Sequence, residues 1–528
     1  MDSSSSSPLP ADESTDLASS TAGSCGVPGA SVSTRQDKLR SLLDLVFLAI
    51  VLSIFAVIAS KRLAAPTDPD LWWHLRTGSW IVQHGAVPHF DVFGAWTLGK
   101  PWVDYSWLFE IFVFKIFNAW GPGGIVLFTC VLVVADMALL GTLLNRYTYL
   151  ARALTLTLLA YVATFESLGT PRPWLVTTAF FTLELLLLLV ASERGKWQWL
   201  CPIVPLMALW ANVHIQFVYG LALLGLFALM QTIPGAGYPA APTQNPRRRL
   251  SCIPFWAVLV ASALATLANP FGWRVYAVVY EYATQKSILT YVSEMQSPSF
   301  RTPLDFLMLG FVCAAWFLLG KTPRRSILLI MLLAAATYCG FHAARDLWFL
   351  SIVASLVLAQ WWGTGDMHIR PAGPLTWAGA IAVSLLLPFA VPGVRVSDQE
   401  IDKWMRDLYP VQACDYIERH HAIDPLYNSF PWGGYLMWRL PQLHVSIDGR
   451  TNVHDDWRVT RAIETSHGEL SWTKDDELFR AKTIVLEKKR PLTSILRSDP
   501  RFRLVYEDNT AVVFEPTSQP EMTHVPAS

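Results

Sequence analysis

The stretch TDPDLWWHLRTGSW, residues 67–80, sets two carboxylates (Asp68, Asp70), an imidazole (His74) and a guanidinium (Arg76) among Trp72, Trp73 and Trp80, directly after an apolar run at 42–60. A carboxylate at the end of an apolar helix can act as a general base or as a metal ligand. Indole rings there can stack on a sugar face or anchor a membrane interface. The region also holds Trp96, Trp102, Trp107 and Trp120, and an aromatic belt accounts for most such clusters. Asp70 also has a plain reading, because Asp is a favoured helix cap. Arg172 and Arg345 each fall in a short connection beside a helix end. Each can bind an anionic group, or pair with lipid headgroups or with the local acids Glu166 and Asp346. His214 sits between two apolar runs and reads more readily as a hydrogen-bonded structural residue. Glu184 lies inside an apolar run with no partner named by the sequence. Asp448–Gly449–Arg450 follows a strand-like run, as a ligand loop does, although a turn made by Asp and Gly is the plainer account.

The elements that must position these residues are mostly apolar. The 528 residues are 52% hydrophobic and only 16% charged, against about 25% charged in a soluble domain. With a formal net charge of zero, nothing marks a nucleic-acid surface. Eleven apolar runs recur near spanning length: 42–60, 122–144, 150–168, 174–192, 199–212, 217–234, 253–269, 304–320, 326–342, 347–362 and 374–392. The fold class is therefore an α-helical polytopic membrane protein. Residues 1–36, rich in Ser, Ala, Gly and Thr, read as a disordered cytoplasmic tail, and 518–528 as a second disordered tail. No short cleavable signal peptide is visible, so the first apolar run is expected to stay as an anchor. The seven cysteines are scattered without metal-binding spacing, and Cys414 is alone in the C-terminal region.

Basic connections set the orientation. RQDKLR, NRYTYLAR, SERGKW, NPRRRL, KTPRRS and DMHIRP alternate with weakly basic ones, and the positive-inside rule places the basic set in the cytoplasm. The alternation works only if residues 104–119, which carry Asp104, Glu110 and Lys115, lie along the membrane as an interfacial helix. The result is about eleven transmembrane helices with the N-terminus cytoplasmic. Lys61 and Arg62, at the outer end of the first run, can snorkel to headgroups. The transmembrane part covers 37–395, with a large external loop at 61–121. Residues 396–517 form an external α/β domain: helix-like at 400–420, then strand-like at PLYNSF, LHVSID, KTIVLE, RLVYED and AVVFE.

The segment from Asp70 to Glu110 resembles the first external loop of the GT-C superfamily of integral-membrane glycosyltransferases, of the oligosaccharyltransferase and aminoarabinose-transferase type. Asp70, the aromatic pair Trp72–Trp73 and Arg76 match the order of acid, aromatics and Arg in the oligosaccharyltransferase catalytic subunit. Gly85, Pro88, Asp91, Pro101, Trp102, Trp107 and Leu108 match bacterial transferases that modify lipopolysaccharide. The elements RPW (Arg172), WANVHIQF (Asn212, His214), NPFGWRVY, EMQSPSF (Glu294), HAARD (Arg345), NSFPWGGYLMW and SIDGR resemble an uncharacterised bacterial branch of this group, so the likeness covers most of 40–517. It implies transfer of a sugar from a lipid-phosphate-linked donor to an acceptor on the external face of a bacterial inner membrane, with the acceptor unidentified. Asp70, with Asp68 as the neighbouring alternative, becomes the base or a ligand for an optional divalent cation. Arg172 and Arg345 become the groups that stabilise the leaving phosphate. Arg76, Trp72, Trp73, His74, Asp91, Glu294 and His214 become candidate substrate contacts. One departure stands out: the connection TFESLGTPRPW has only Glu166 and no DxD-type pair, which puts metal dependence in doubt.

Two other functions fit the same composition: a transporter or flippase, and a non-catalytic scaffold whose external domain binds a partner. Against a transporter, no inverted repeat and no paired broken helices are visible. If the chain is a transferase, Asp70 should lie in a water-filled cavity near Arg172 or Arg345, within roughly 10 Å, because both must flank one substrate. Trp72 and Trp73 cannot both face that cavity if the segment is helical.

Overall fold

The computed structural model describes residues 29–63, 68–164, 170–234, 236, 250–321, 326–361, 371–390 and 398–517. Each of the eleven apolar runs lies on a helix: α1 (Gly29–Leu63), α3 (Trp107–Asn145), α4 (Leu150–Ala163), α5 (Trp174–Arg194), α6 (Ile203–Val213), α7 (Phe217–Thr232), α8 (Ile253–Ala265), α11 (Pro303–Lys321), α12 (Ile327–His342), α13 (Leu347–Trp361) and α14 (Pro374–Ala390). Between them come α2 (Asp70–His84), α9 (Arg274–Thr284) and α10 (Lys286–Tyr291). Among the described residues, four helices are long and apolar enough to cross a membrane: the Ser41–Ile58 part of α1, then α3, α5 and α11. Every residue of α13 from Leu347 to Ala359 is buried. A helix apolar on all sides belongs inside a bundle, and α13 packs against α3, α4, α11 and α12 there.

Two expectations about the N-terminal half need adjustment. Helix α1 begins at Gly29, so 29–36 are its first turns and not part of the tail; 1–28 and 518–528 lie outside the described residues. The expected interfacial helix at 104–119 appears as Trp107–Trp120, continuous in hydrogen bonding with the apolar 122–145 but broken at Gly121 (φ 61°, ψ −155°) ahead of Pro122. That left-handed φ suits glycine, and proline cannot continue the ladder behind it. The 107–120 segment ahead of the break packs against α2, where the Glu110 carbonyl and Phe114 face Gly78.

The C-terminal region begins with α15 (Asp398–Leu408) and α16 (Val411–Arg419). Four of the five expected strand segments form one mixed sheet: β1 (Leu426–Asn428), β2 (Thr483–Glu487), β3 (Phe502–Glu507) and β4 (Ala511–Pro516), in the order β1-β2-β4-β3. β1 runs parallel to β2; the other two pairings are antiparallel, with Ile484 opposite Phe514 and Val485 opposite Val513. Side chains alternate across the sheet. Leu426, Val485 and Val513 face one core, while Tyr427, Ile484, Leu486, Val512 and Phe514 face another with Leu492 and Leu496 of the helix Pro491–Ser498.

LHVSID, the fifth segment, is not a strand. Val445 makes only single bridges, to Leu426 and to Gly94 of the first loop. Its carbonyl accepts from Ala95 N (2.8 Å), and its amide donates to Phe93 O (3.2 Å). The loop thus takes the hydrogen bonds a strand would need. The same exchange shows in packing: Leu71, Trp72, Trp73, Phe93 and Trp102 of the first loop share a core with Tyr409, Cys414, Tyr435 and Leu436. Tyr435 and Leu436 lie on α17 (Gly433–Arg439), which packs on α2.

Arg450 locks this contact. Its Nη1 donates to Asp91 Oδ1 (2.7 Å), its Nη2 to Asp448 Oδ2 (2.7 Å) and its Nε to Asp448 Oδ1 (2.9 Å). The guanidinium lies over the Phe93 and Trp102 rings, and the side chains of all three ionic residues are wholly buried. Breaking a buried pair on one side strands a charge. Arg450→Met should therefore cost about 3–5 kcal/mol, read as a lower melting temperature of the purified chain in detergent. Adding Asp91→Asn and Asp448→Asn to that variant should recover most of the loss. An unchanged melting temperature in the single variant would show that the cluster does not hold the two regions together.

Candidate active site

The cavity is built outward from the start of α2. Pro69 is the N-cap and Asp70 the first residue of the helix, and Asp68 Oδ1 accepts the Asp70 amide (3.0 Å). The backbone amide is thus satisfied by Asp68, and the Asp70 carboxylate points into the cavity. Along α2, 100° per residue sorts the side chains. Asp70, Trp73 and His74 line a cavity of about 350 Å³. Trp72 faces the core, edge-on to Tyr409 and Tyr435. Arg76 lies over Phe93 and reaches Pro441 O (3.4 Å). Of the pair, Trp73 meets the cavity and Trp72 the core.

Arg172, just before α5, enters from the opposite wall. Its Nε donates to Asp68 Oδ2 (2.5 Å), and its Nη1 lies 2.9 Å from Asp70 Oδ2 and 3.0 Å from both Glu294 oxygens. Its guanidinium rests 4.6 Å from the Trp174 ring. Burial works against this cation, but Asp68, Asp70 and Glu294 more than offset it and hold its pKa well above the usual range. For Asp70 the balance runs the other way. Burial raises its carboxyl, Arg172 draws it down, and Asp68 and Glu294 push it up again, to about 7. A carboxylate so placed exchanges a proton near neutrality.

Arg345 closes the far side from a short turn, Ala344–Asp346, tied to the Glu294 turn by Ala344 N to Gln296 O (2.8 Å). Its Nε has no hydrogen-bond partner, and among the described residues no ion pair to its guanidinium is found. The neighbouring Asp346 is taken by Gln216 (2.9 Å) and Tyr219 (2.6 Å). Of the two arginines, Arg345 is the cation left for an anionic ligand. It also lines a second cavity of about 550 Å³, which shares Tyr282, Met295 and Arg345 with the first.

The structure brings together Asp70, Trp73, His74, Arg172, His214, Glu294 and Arg345, with Asp68 behind Arg172. It does not bring Trp72, Arg76 or Asp91 to the cavity. Asp91 is wholly committed to Arg450, the Phe93 and Gly94 amides and the Thr97 hydroxyl. His214 lines the cavity, but its Nδ1 is held by Thr177 Oγ1 (2.9 Å), which also accepts from Trp210. Glu184 is not a lining residue; it lies within the bundle beside Gly220. Glu166 lies outside the described residues.

Sequence reasoning missed two kinds of lining residue. Tyr105 and Tyr282, 2.9 Å apart through their hydroxyls, come from segments 177 residues apart and carry no motif. Gly449 and Thr451 come from the Asp-Gly-Arg turn and the residue after it, for which the sequence offered a ligand loop but favoured a plain turn. A Cβ on Gly449 would stand 2.2 Å from Asp70 Oδ1 and 3.0 Å from Trp73 Nε1. Only glycine lets the C-terminal region close against the Asp70 carboxylate.

A divalent cation does not fit these donors. Among the described residues no group of three or more His, Cys, Asp or Glu side chains could hold a metal. Asp68, Asp70 and Glu294, the acids nearest to such a set, already converge on the Arg172 guanidinium.

No family model matches the chain, and no curated protein matches it by sequence. By structure it is similar to the archaeal oligosaccharyltransferase AglB from Archaeoglobus fulgidus in complex with an inhibitory peptide and a dolichol-phosphate, with TM-score 0.51 and 12% identity over 85% of this chain and 70% of that one. The apo form of the oligosaccharyltransferase from the same organism aligns at TM-score 0.48 and 12% identity over 85% and 69% of the two chains. ArnT from Cupriavidus metallidurans bound to undecaprenyl phosphate aligns at 0.48 and 14% identity over 90% and 98%. The first of these likenesses shows that the chain shares the fold of the archaeal oligosaccharyltransferase over most of its length. At this identity it speaks for the fold and not for individual residues.

Removing the shared cation tests the cavity's charge balance. In Arg172→Gln three carboxyl groups face one another, neutral when protonated and mutually repelling when ionised. The variant should melt near wild type at about pH 5 and lose about 3–5 kcal/mol by about pH 8. Equal melting temperatures for variant and wild type at both pH values would contradict the arrangement.

Proposed function

We propose that this chain is an integral-membrane glycosyltransferase that moves a sugar from a lipid-phosphate carrier to an acceptor. The supporting observation is the placement, in one cavity, of the Asp70 carboxylate and the half-buried Arg345 guanidinium, whose Nε has no hydrogen-bond partner and which, among the described residues, has no carboxylate within ion-pair distance. The fold shared with the archaeal oligosaccharyltransferase, whose complex contains a dolichol-phosphate, supports the same reading. In this proposal the carrier phosphate sits at Arg345. The first units of its apolar chain occupy the second cavity, and the sugar lies in the first against Trp73.

The chemistry follows from those positions. Asp70, ionised, accepts the proton of the acceptor hydroxyl or amine. The freed lone pair attacks the anomeric carbon, the bond from that carbon to the phosphate oxygen breaks, and the phosphate leaves with the electron pair. Arg345 stabilises the charge that develops there. Arg172 does not move; it holds Asp70, Asp68 and Glu294 in one geometry, so no reorganisation accompanies the reaction. The charge pattern of the connections supports the accompanying topology: eleven crossings, N-terminus cytoplasmic, and the cavity and 396–517 external.

The full chain, reconstituted with a synthetic polyprenyl-phosphate sugar, should release polyprenyl phosphate, followed by mass spectrometry. Asp70→Asn keeps shape and loses basicity, so release should fall roughly 100-fold or more with an unchanged melting temperature. Wild-type turnover should rise with pH through about 7, where the Asp70 carboxyl ionises. Arg345→Gln should weaken donor binding by roughly ten-fold or more, the worth of one charge-assisted hydrogen bond. Full activity in the Asn variant would remove Asp70 from the chemistry. Carrier binding without release by the wild type would point to transport or scaffolding.

A further inference from the structure

His74 lies one helical turn after Asp70, on the same face of α2, and both line the cavity. Its Nδ1 is 3.0 Å from Glu110 Oε1, in the segment of α3 that precedes the Gly121 break. The Glu110 carboxyl neighbours that of Asp104. Asp104 Oδ2 and Glu110 Oε2 are buried with no hydrogen-bond partner, and two neighbouring carboxyl groups can satisfy such oxygens between themselves only if one carries a proton. His74, Glu110 and Asp104 are 3%, 0% and 2% exposed, so this proton is held away from water. The mechanism above uses none of the three.

We infer that His74, Glu110 and Asp104 form a proton relay leading out of the cavity, which takes up the proton released by the acceptor; this rests on the transfer reading above. Neutral His74 donates Nδ1–H to Glu110 Oε1 and leaves the Nε2 lone pair for the cavity. The acceptor's proton passes from Asp70 to Nε2, and the Nδ1 proton passes to Glu110 Oε1. The acid pair goes from one proton and one negative charge to two protons and none, His74 ends neutral, and Asp70 is again a carboxylate. Only N–H and O–H bonds are made and broken. The protons return through His74 when the opened cavity admits water.

The surroundings favour passage over retention. Burial, then the charges of Arg172 and His214, hold the His74 pKa well below its usual value, so the imidazolium does not persist. Burial pushes the Asp104 carboxyl up to about 7, opposed by its bond to Glu110, the Ser106 amide and the charge of Arg450. The doubly protonated pair is the uncharged one, which a buried site prefers.

Infrared spectroscopy of the full-length protein in nanodiscs tests this without a substrate. Wild type should show a protonated-carboxyl band that fades as pH rises through about 7. Because Asp70 also ionises near 7, the spectra are read in the Asp70→Asn background, where the remaining component should be lost on adding Asp104→Asn or Glu110→Gln and its midpoint should shift on adding His74→Gln. Glu110→Gln still accepts a hydrogen bond from Nδ1 but cannot take the proton. In the transfer assay it should lower kcat roughly ten- to hundred-fold at constant KM, with Glu110→Asp recovering part of the loss. Superimposable spectra in that background with and without the acid substitutions, or a midpoint unmoved by His74→Gln, would reduce the three residues to a static brace. If the band behaves as expected but wild type transfers no sugar, the transfer reading fails and the relay with it. If wild type transfers sugar but that component is absent, only the relay fails.

Discussion

The burial of Arg450 between Asp91 and Asp448 is the contact on which the site depends. A guanidinium taken out of water needs its donors matched and its charge answered, and here two carboxylates and two aromatic faces do so. Asp91 belongs to the first loop and Asp448 to the C-terminal region, so satisfying one side chain draws together segments more than 350 residues apart. Asp448 also pairs with His454 (3.4 Å), and Lys100 pairs with Asp455 (2.8 Å) along the same seam. The consequence for the cavity is local: the turn that carries Arg450 presses Gly449 against Asp70. What closes the cavity and what clamps the two regions are the same three residues.

Within the cavity, charge is distributed unevenly. Three acids share Arg172, while among the described residues no carboxylate lies within ion-pair distance of Arg345, on which Asp346 and Glu294 act from farther off. The excess acid on one wall and the excess base on the other create a field across the space between them. That field suits a reaction in which a proton leaves on one side and a phosphate charge grows on the other. The aromatic hydroxyls of Tyr105 and Tyr282 sit between the walls and bond mainly to each other.

Much of the architecture could be read before any coordinate. Each of the eleven apolar runs is a helix, because the length and uniformity of a hydrophobic segment leave the backbone no cheaper way to satisfy itself in lipid. Four of the five strand-like runs are strands, short apolar and aromatic segments of the kind that suits a sheet. The fifth, around Val445, fails for a reason invisible along the chain: the loop at Phe93–Ala95 competes for its amide and carbonyl and wins. Asp70, His74, Arg172, Glu294 and Arg345 were named from residue type and from likeness to a family pattern, and they meet in one cavity. Trp72, Arg76 and Asp91 were named on the same grounds and do not. Helical rotation carries the first two away from the cavity, and Arg450 claims the third.

The sequence by itself determined which segments are apolar enough to form the bundle, where the polar first loop must leave it, and which ionisable residues lie at helix ends. Those properties are local, set by side-chain hydrophobicity and by periods of two and 3.6 residues. Tertiary structure alone decided that Asp68 takes the Asp70 amide while the Asp70 carboxylate lines the cavity, and that Arg172 gathers three acids while among the described residues Arg345 has none within ion-pair distance. It also decided that Tyr105, Tyr282 and Gly449 join the wall, and that Asp104, Glu110 and His74 form a chain. Each of these is a matter of which groups, remote in sequence, come within hydrogen-bonding distance. The one-dimensional pattern carries no information about such distances, because the energy of a buried charge depends on its neighbours in space and not on its neighbours in the chain.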